Sequence, residues 1–198
     1  MLMIQKLLLK NVVKSLMHMH NHFELILNEI KQTLSHVDVA ESEKFSKDLM
    51  DASSIFVAGK GRSGLVIQSF AMRLNQLGKK AYVVGETTTP SIQKNDVFVI
   101  ASGSGSTAHL KLLAQTAKDN EAYVLLLSTK NESPIADIAD LTIVLPAGTK
   151  YDAEGSKQPL GSLFEQSSQI YLDSVVLTIQ EALNVDEETM QNNHANLE

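Results

Sequence analysis

The chain has no cysteine among its 198 residues, which excludes disulfides and any chemistry that needs a thiolate. It has no apolar run approaching the roughly 20 residues that a membrane-spanning helix requires, so no membrane partner is expected. It has no cluster of Lys and Arg, and its formal net charge is −6. Nucleic-acid binders present a basic face, so no nucleic-acid partner is expected either. There is no internal repeat, low-complexity segment or domain linker. Met1–Lys10 is apolar but interrupted by Gln5 and Lys6, with no basic stretch ahead of it and no small-residue cleavage site, so no secretory leader is expected. These absences fit a cytoplasmic protein. They also fit one domain over residues 1–198, with a core from about 40 to 185, an N-terminal helix within 1–35 and a polar tail over 185–198.

What is present has the composition of an ordinary core: 43% hydrophobic and 20% charged residues. Leu16–Leu34 predicts an amphipathic helix with Leu16, Phe23, Leu27, Ile30 and Leu34 near one face, and Glu41–Met50 predicts a second. Five short runs, rich in Val, Ile and Leu and apolar on both faces, then read as strands: Ser54–Ala58, Ala81–Val84, Val97–Ala101, Ala122–Leu127 and Leu141–Leu145. Helical patterns at Ser63–Leu77 and Thr107–Lys118, with a short one near Pro134–Ile138, lie between most of them. The 84–97 link and Pro146–Gly161 read as loops, and Ser162–Leu183 as a long helix before a polar tail. The alternation implies an α/β fold, a five-stranded parallel sheet doubly wound into three layers.

Two turns carry the functional information. Gly59-Lys60-Gly61-Arg62-Ser63-Gly64 follows the first strand, and Ser102-Gly103-Ser104-Gly105-Ser106-Thr107 follows the third. Glycines turn tightly and leave bare N–H groups, a helix start adds unpaired N–H groups and partial positive charge, and hydroxyls add rotatable donors. Two such turns at one sheet edge make an anion pocket, and phosphate matches it best. A rival reading exists, because Gly59, Gly61 and Gly64 satisfy the dinucleotide pattern and Glu86 follows about 20 residues on. Against it stand the bulky Arg62-Ser63 pair where a pyrophosphate approaches the backbone, the second serine-rich turn that such a site does not need, and the lack of a second domain for a hydride acceptor.

The same residues resemble a known family. The two turns, together with Phe70-Ala71-Met72-Arg73-Leu74, Val84–Pro90, Gly161-Ser162-Leu163-Phe164-Glu165-Gln166 and the ending His194–Glu198, resemble the 6-phospho-3-hexuloisomerases among the sugar isomerase (SIS) domains. The resemblance covers nearly the whole chain after about residue 20 and implies a flavodoxin-like strand order. It also implies interconversion of D-arabino-hex-3-ulose 6-phosphate and fructose 6-phosphate in the ribulose monophosphate pathway of formaldehyde fixation, with a sugar phosphate as substrate and assembly into a homotetramer. Phosphate binding carries over to Ser63, Ser102, Gly103, Ser104, Gly105, Ser106 and Thr107, and the general base to Glu165. Many relatives have Glu where this chain has Ser106, so that side chain's role does not transfer. His194 carries over as a second catalytic candidate, since in related isomerases a histidine can enter a neighbour's site.

The chemistry is a proton transfer between two carbons through a cis-enediol(ate), which in principle needs neither metal nor redox cofactor. A carboxylate suits it when partial burial lifts its pKa toward neutrality, whereas a helix N-terminus pulls the other way. The sequence does not decide between these effects, nor whether Arg62 and Arg73 pair with carboxylates or assist the substrate. His18 and His22 have a chelating spacing, but without a third ligand they read, with His20, as surface histidines, and no metal site is expected. The alternative function is a non-catalytic sugar-phosphate-sensing module, since SIS domains also occur in regulators. The nicotinamide oxidoreductase is a weaker third.

Overall fold

The computed structural model describes residues 19–148 and 155–197. Leu16, His18, Met1–Lys10 and the middle of the Pro146–Gly161 loop lie outside that range. The elements run α1 (19–34), α2 (Val39–Asp51), β1 (Ile55–Gly59), α3 (Gly61–Gln76), β2 (Ala81–Val83), β3 (Val97–Ala101), α4 (Ala108–Asp119), β4 (Tyr123–Ser128), β5 (Leu141–Val144), α5 (Ser162–Leu183) and α6 (Glu187–Asn192). All strands pair in parallel in the order β2-β1-β3-β4-β5, with Ile55 beside Ala81 and Val97, and Val97 beside Tyr123.

Successive strand residues point to opposite faces, and the core divides accordingly. Ile55, Val57, Val97, Val99, Leu125 and Leu127 meet α2, α3 and α5 on one face. Phe56, Ala58, Phe98, Ile100, Val124 and Leu126 meet α4 on the other. Both faces are covered, so these strands read as continuous apolar runs. Each fully buried Val, Leu, Ile or Phe adds about 1.5–3 kcal/mol of transfer free energy.

Two expectations need correction. Residues near Pro134–Ile138 form a turn, not a helix. Ser133 Oγ accepts the Ala136 amide at 3.1 Å and the Asp137 and Ala139 amides reach the carbonyls four residues back at 3.0 Å, but the Ile138 amide turns to the Ile135 carbonyl and the run goes no further, while the Ile135 amide is donated to the Gly105 carbonyl at 2.9 Å. So short a segment cannot offset helix nucleation. The tail, read only as polar, carries the further helix α6. Asp186 Oδ1 accepts the Thr189 amide at 2.8 Å and caps α6, Val185 and Met190 pack on the core, and Asn193 Nδ2 reaches the Gln76 carbonyl at 3.0 Å.

Candidate active site

The chain leaves β1 toward one sheet edge and β3 toward the other, so a crevice opens between the C-terminal ends of these two adjacent strands. α3 and α4 start there on opposite faces of the sheet. Neither start has a side-chain cap: Lys60 and Thr107 occupy the cap positions without such a bond. The leading amides of both helices are therefore not taken by a capping side chain.

In the first turn, a Cβ on Gly59 would lie 2.9 Å from the Gly64 amide nitrogen and the Ser63 carbonyl. Strand and helix touch backbone to backbone, and Gly61 (φ +59°) makes the bend between them. The second turn is held by its neighbours. The Gly103 carbonyl accepts from Thr129 N at 3.1 Å, Thr129 Oγ1 at 2.8 Å and Ser128 Oγ at 3.2 Å. Gly105 (φ +60°) donates to the Ser102 carbonyl at 3.0 Å, and a Cβ there would sit 2.0 Å from Ser133 Oγ. Ser102 is buried, while Ser104 and Ser106 lie nearer solvent with their hydroxyls 3.1 Å apart.

The start of α5 closes the site. The Phe164 ring lies against Gly103, 3.2 Å from where a Cβ would be. The next residue, Glu165, keeps only 18% side-chain exposure and places Oε2 3.1 Å from Arg62 Nη1 in the first turn of α3. The same nitrogen donates to Ser162 Oγ at 2.9 Å. Burial raises the Glu165 pKa above the ordinary carboxylate value; the Arg62 charge pulls it back, but by less. Of burial and the Arg62 charge, burial is the stronger. A carboxylate tuned in this way can accept a carbon-bound proton and return it.

A profile for the SIS domain matches residues 48–167. The 3-hexulose-6-phosphate isomerase of Bacillus subtilis is 41% identical over 176 residues, covering 87% of this chain and 95% of that protein. That of Mycobacterium gastri is 37% identical, covering 90% of each. The chain belongs to the SIS-domain family. Among solved structures, a Methanococcus jannaschii protein for which 3-hexulose-6-phosphate isomerase function has been inferred superposes with TM-score 0.80 at 33% identity, covering 90% of this chain and 99% of that one.

Within this SIS domain, the expected residues fall into two groups. Glu165 touches Arg62, the neighbour of Ser63, while Phe164 touches Gly103. The first turn, the second turn and the start of α5 therefore meet. His194 does not join them. It sits beyond α6, its Nδ1 2.9 Å from the Ala195 carbonyl, in a groove with Arg73, Gln76 and Gln180. That groove is at the far end of α3, about 20 Å from Arg62 by the length of the helix. Arg73 bonds to Gln76 there at 2.8 Å. His20 and His22 are exposed, and no group of three His, Asp or Glu suited to a metal occurs among the described residues. Sequence reasoning did not foresee Phe164 as the spacer between Gly103 and Glu165; its place just before a candidate base was the available signal.

Proposed function

We infer that this chain interconverts D-arabino-hex-3-ulose 6-phosphate and fructose 6-phosphate, a step of the ribulose monophosphate pathway. The observation that carries the reading is the partly buried Glu165, raised in pKa and braced by Arg62 where two amide-rich turns converge. Relatives at 41% and 37% identity that bear this activity in their names support it.

The phosphate is held at Ser63 and at Ser102, Gly103, Ser104, Gly105, Ser106 and Thr107, by those amides and hydroxyls that the fold leaves open; the amides of Ser102 and Gly105 are spent on the Leu127 and Ser102 carbonyls and shape the turn instead. Binding at this distal group fixes C2 and C3 of the sugar against the carboxylate, converting affinity into orientation. Glu165 removes the proton from C2 of the 3-ulose, the 2,3-enediolate forms, and the proton returns to C3 while another passes from the C2 oxygen to the C3 oxygen. No electrons are gained or lost overall.

The protein works in the cytoplasm as a homotetramer. In support, α1 carries Met19, Phe23 and Leu27 exposed at four-residue spacing, α5 exposes Ile170 and Leu177, and an apolar groove of about 380 Å³ runs between residues 34–46 and α5. His194 is then available to a neighbouring copy's site and not to its own. The test is incubation of the pure protein with fructose 6-phosphate, without added cofactor, and direct detection of the 3-ulose. Turnover that inorganic phosphate inhibits competitively supports the reading. Binding without turnover makes the protein a sensor, and a need for nicotinamide makes it an oxidoreductase.

A further inference from the structure

The segment that leads into α5 is fastened to α1 at one point. Glu29 Oε2 accepts from Ser156 Oγ at 2.8 Å and from Gln158 Nε2 at 2.9 Å, and Glu29 Oε1 accepts the Lys157 amide at 2.9 Å. The three donors are consecutive residues, and Ser156 Oγ also takes the Gln158 amide at 2.9 Å. Gln158 is buried, Glu29 and Ser156 are partly so, and Lys157 faces solvent. On its other side α1 is tied to the core by buried Ile30 and by Ile26 and Leu34.

The chain beyond this junction is short and under tension. Leu160 has φ +58°, a left-handed conformation that a branched side chain rarely adopts, and its side chain is 76% exposed. Such a residue persists only where its flanks are held. On one flank is the Glu29 junction. On the other, Ser162 N bonds to the Pro159 carbonyl at 3.2 Å and Glu165 N to the Gly161 carbonyl at 3.1 Å. The first turn of α5, which aims Glu165, thus begins four residues after Gln158.

We propose that Glu29 is a positioning residue for the isomerase reaction: through Ser156, Lys157 and Gln158 it fixes the entry of α5 and so the placement of the Glu165 carboxylate. The proposal rests on Glu165 being the base. Glu29 touches neither phosphate turn, so its loss acts on the reacting carbons and leaves capture of the phosphate intact.

The experiment is steady-state kinetics on fructose 6-phosphate with Glu29→Ala, Glu29→Gln, Ser156→Ala, the Glu29→Ala/Ser156→Ala double variant and Glu165→Gln. A shift of about 1 Å in a reacting group can cost about 100-fold. Glu29→Ala is therefore expected to lose about 10- to 100-fold in kcat while KM stays within about twofold. Glu29→Gln, which keeps one carbonyl acceptor, falls between it and wild type. Ser156→Ala gives a smaller loss that adds nothing on top of Glu29→Ala, as for two partners of one contact. Amide exchange over 156–165 accelerates in Glu29→Ala. A wild-type kcat in Glu29→Ala, a change confined to KM, or additive losses in the double variant overturns the proposal. If Glu29→Ala does not fold, Ser156→Ala decides, because an unchanged kcat there is also fatal. An active Glu165→Gln removes the base reading itself. An inactive Glu165→Gln beside a fully active Glu29→Ala removes only the positioning role.

Discussion

Glu29 and Glu165 are partly buried carboxylates that border the same stretch of chain, residues 156–165, yet their surroundings act on them in opposite directions. At Glu29, burial disfavours the charge. The Lys157 amide, Gln158, Ser156 and the Lys157 charge together outweigh that cost and hold the pKa below its ordinary value of 4.5. At Glu165, burial is opposed only by Arg62, whose side chain is 59% exposed, and the pKa stays above 4.5. An exposed cation is screened by water and compensates weakly. Donors fitted to both oxygens make a permanent anion, a fastening. One loosely held partner leaves a carboxylate that still has affinity for a proton. On the proposed roles, the same residue type serves frame at Glu29 and chemistry at Glu165, and the number of donors separates the two.

Substitutions can sharpen or break this contrast. The largest effect belongs to Glu165→Gln, which should lower kcat by about 1,000-fold, within the range for loss of a general base, with KM changed little. Single-turnover assays with fructose 6-phosphate check it, and near-normal turnover would erase the distinction between the two carboxylates. Gly103→Ala comes next. Its methyl would press the Phe164 ring and shift the neighbouring Glu165, so kcat should fall by about 10-fold with Glu29 untouched. Arg62→Gln removes the charge that lowers the Glu165 pKa. The acid limb of the pH–kcat profile should then move to higher pH, and a move to lower pH would contradict the assigned balance.

The smallest effects are on stability, and they should differ in sign. The folded protein disfavours the ionised form of Glu165, so that penalty is absent below pH 4.5 and grows as pH rises through the raised folded value. Glu165→Gln should therefore raise Tm by about 1–3 °C at neutral pH and lose this gain in acid. Glu29 behaves in reverse: its stabilisation is present above pH 4.5 and is lost as pH falls through the depressed folded value. Glu29→Gln should lower Tm at neutral pH by about the same amount, with the deficit disappearing in strong acid. Thermal melts at two pH values test both signs.

The frame was largely legible because it is written in local pattern. Val97–Ala101 and Ser162–Leu183 have the same ends in sequence and structure, and the other strands shift by a residue or so where ladder bonds, not hydropathy, set the boundary. The strand order followed from the family resemblance. Other features are not local. Arg62 meets Glu165 across 103 positions, and Glu29 meets Ser156 across 127, so no window of sequence could pair them. The Pro134–Ile138 segment makes one capped turn and stops, with the Ile135 amide tied to the distant Gly105 carbonyl, and hydropathy does not set so short a length. The missed α6 was readable, since Asp186 ahead of Glu187-Glu188-Thr189 is an ordinary helix-opening signal. The placement of Glu165 was expected, but the direction of its pKa needed the exposure of one carboxyl group and the identity of one cation.

The crevice is assembled from three separated stretches of chain, one after β1, one after β3 and one at the head of α5. The two turns are set by the strands that lead into them, and the helix head by Phe164 against Gly103 and by the segment that Glu29 fastens. Mutational drift can therefore erase the acidic helix head while both glycine turns survive intact. If the turns hold the phosphate and Glu165 moves the proton, as proposed, the descendant would be a receptor that still recognises its old ligand and can no longer transform it. On that reading, altering a single helical turn exchanges turnover for signalling.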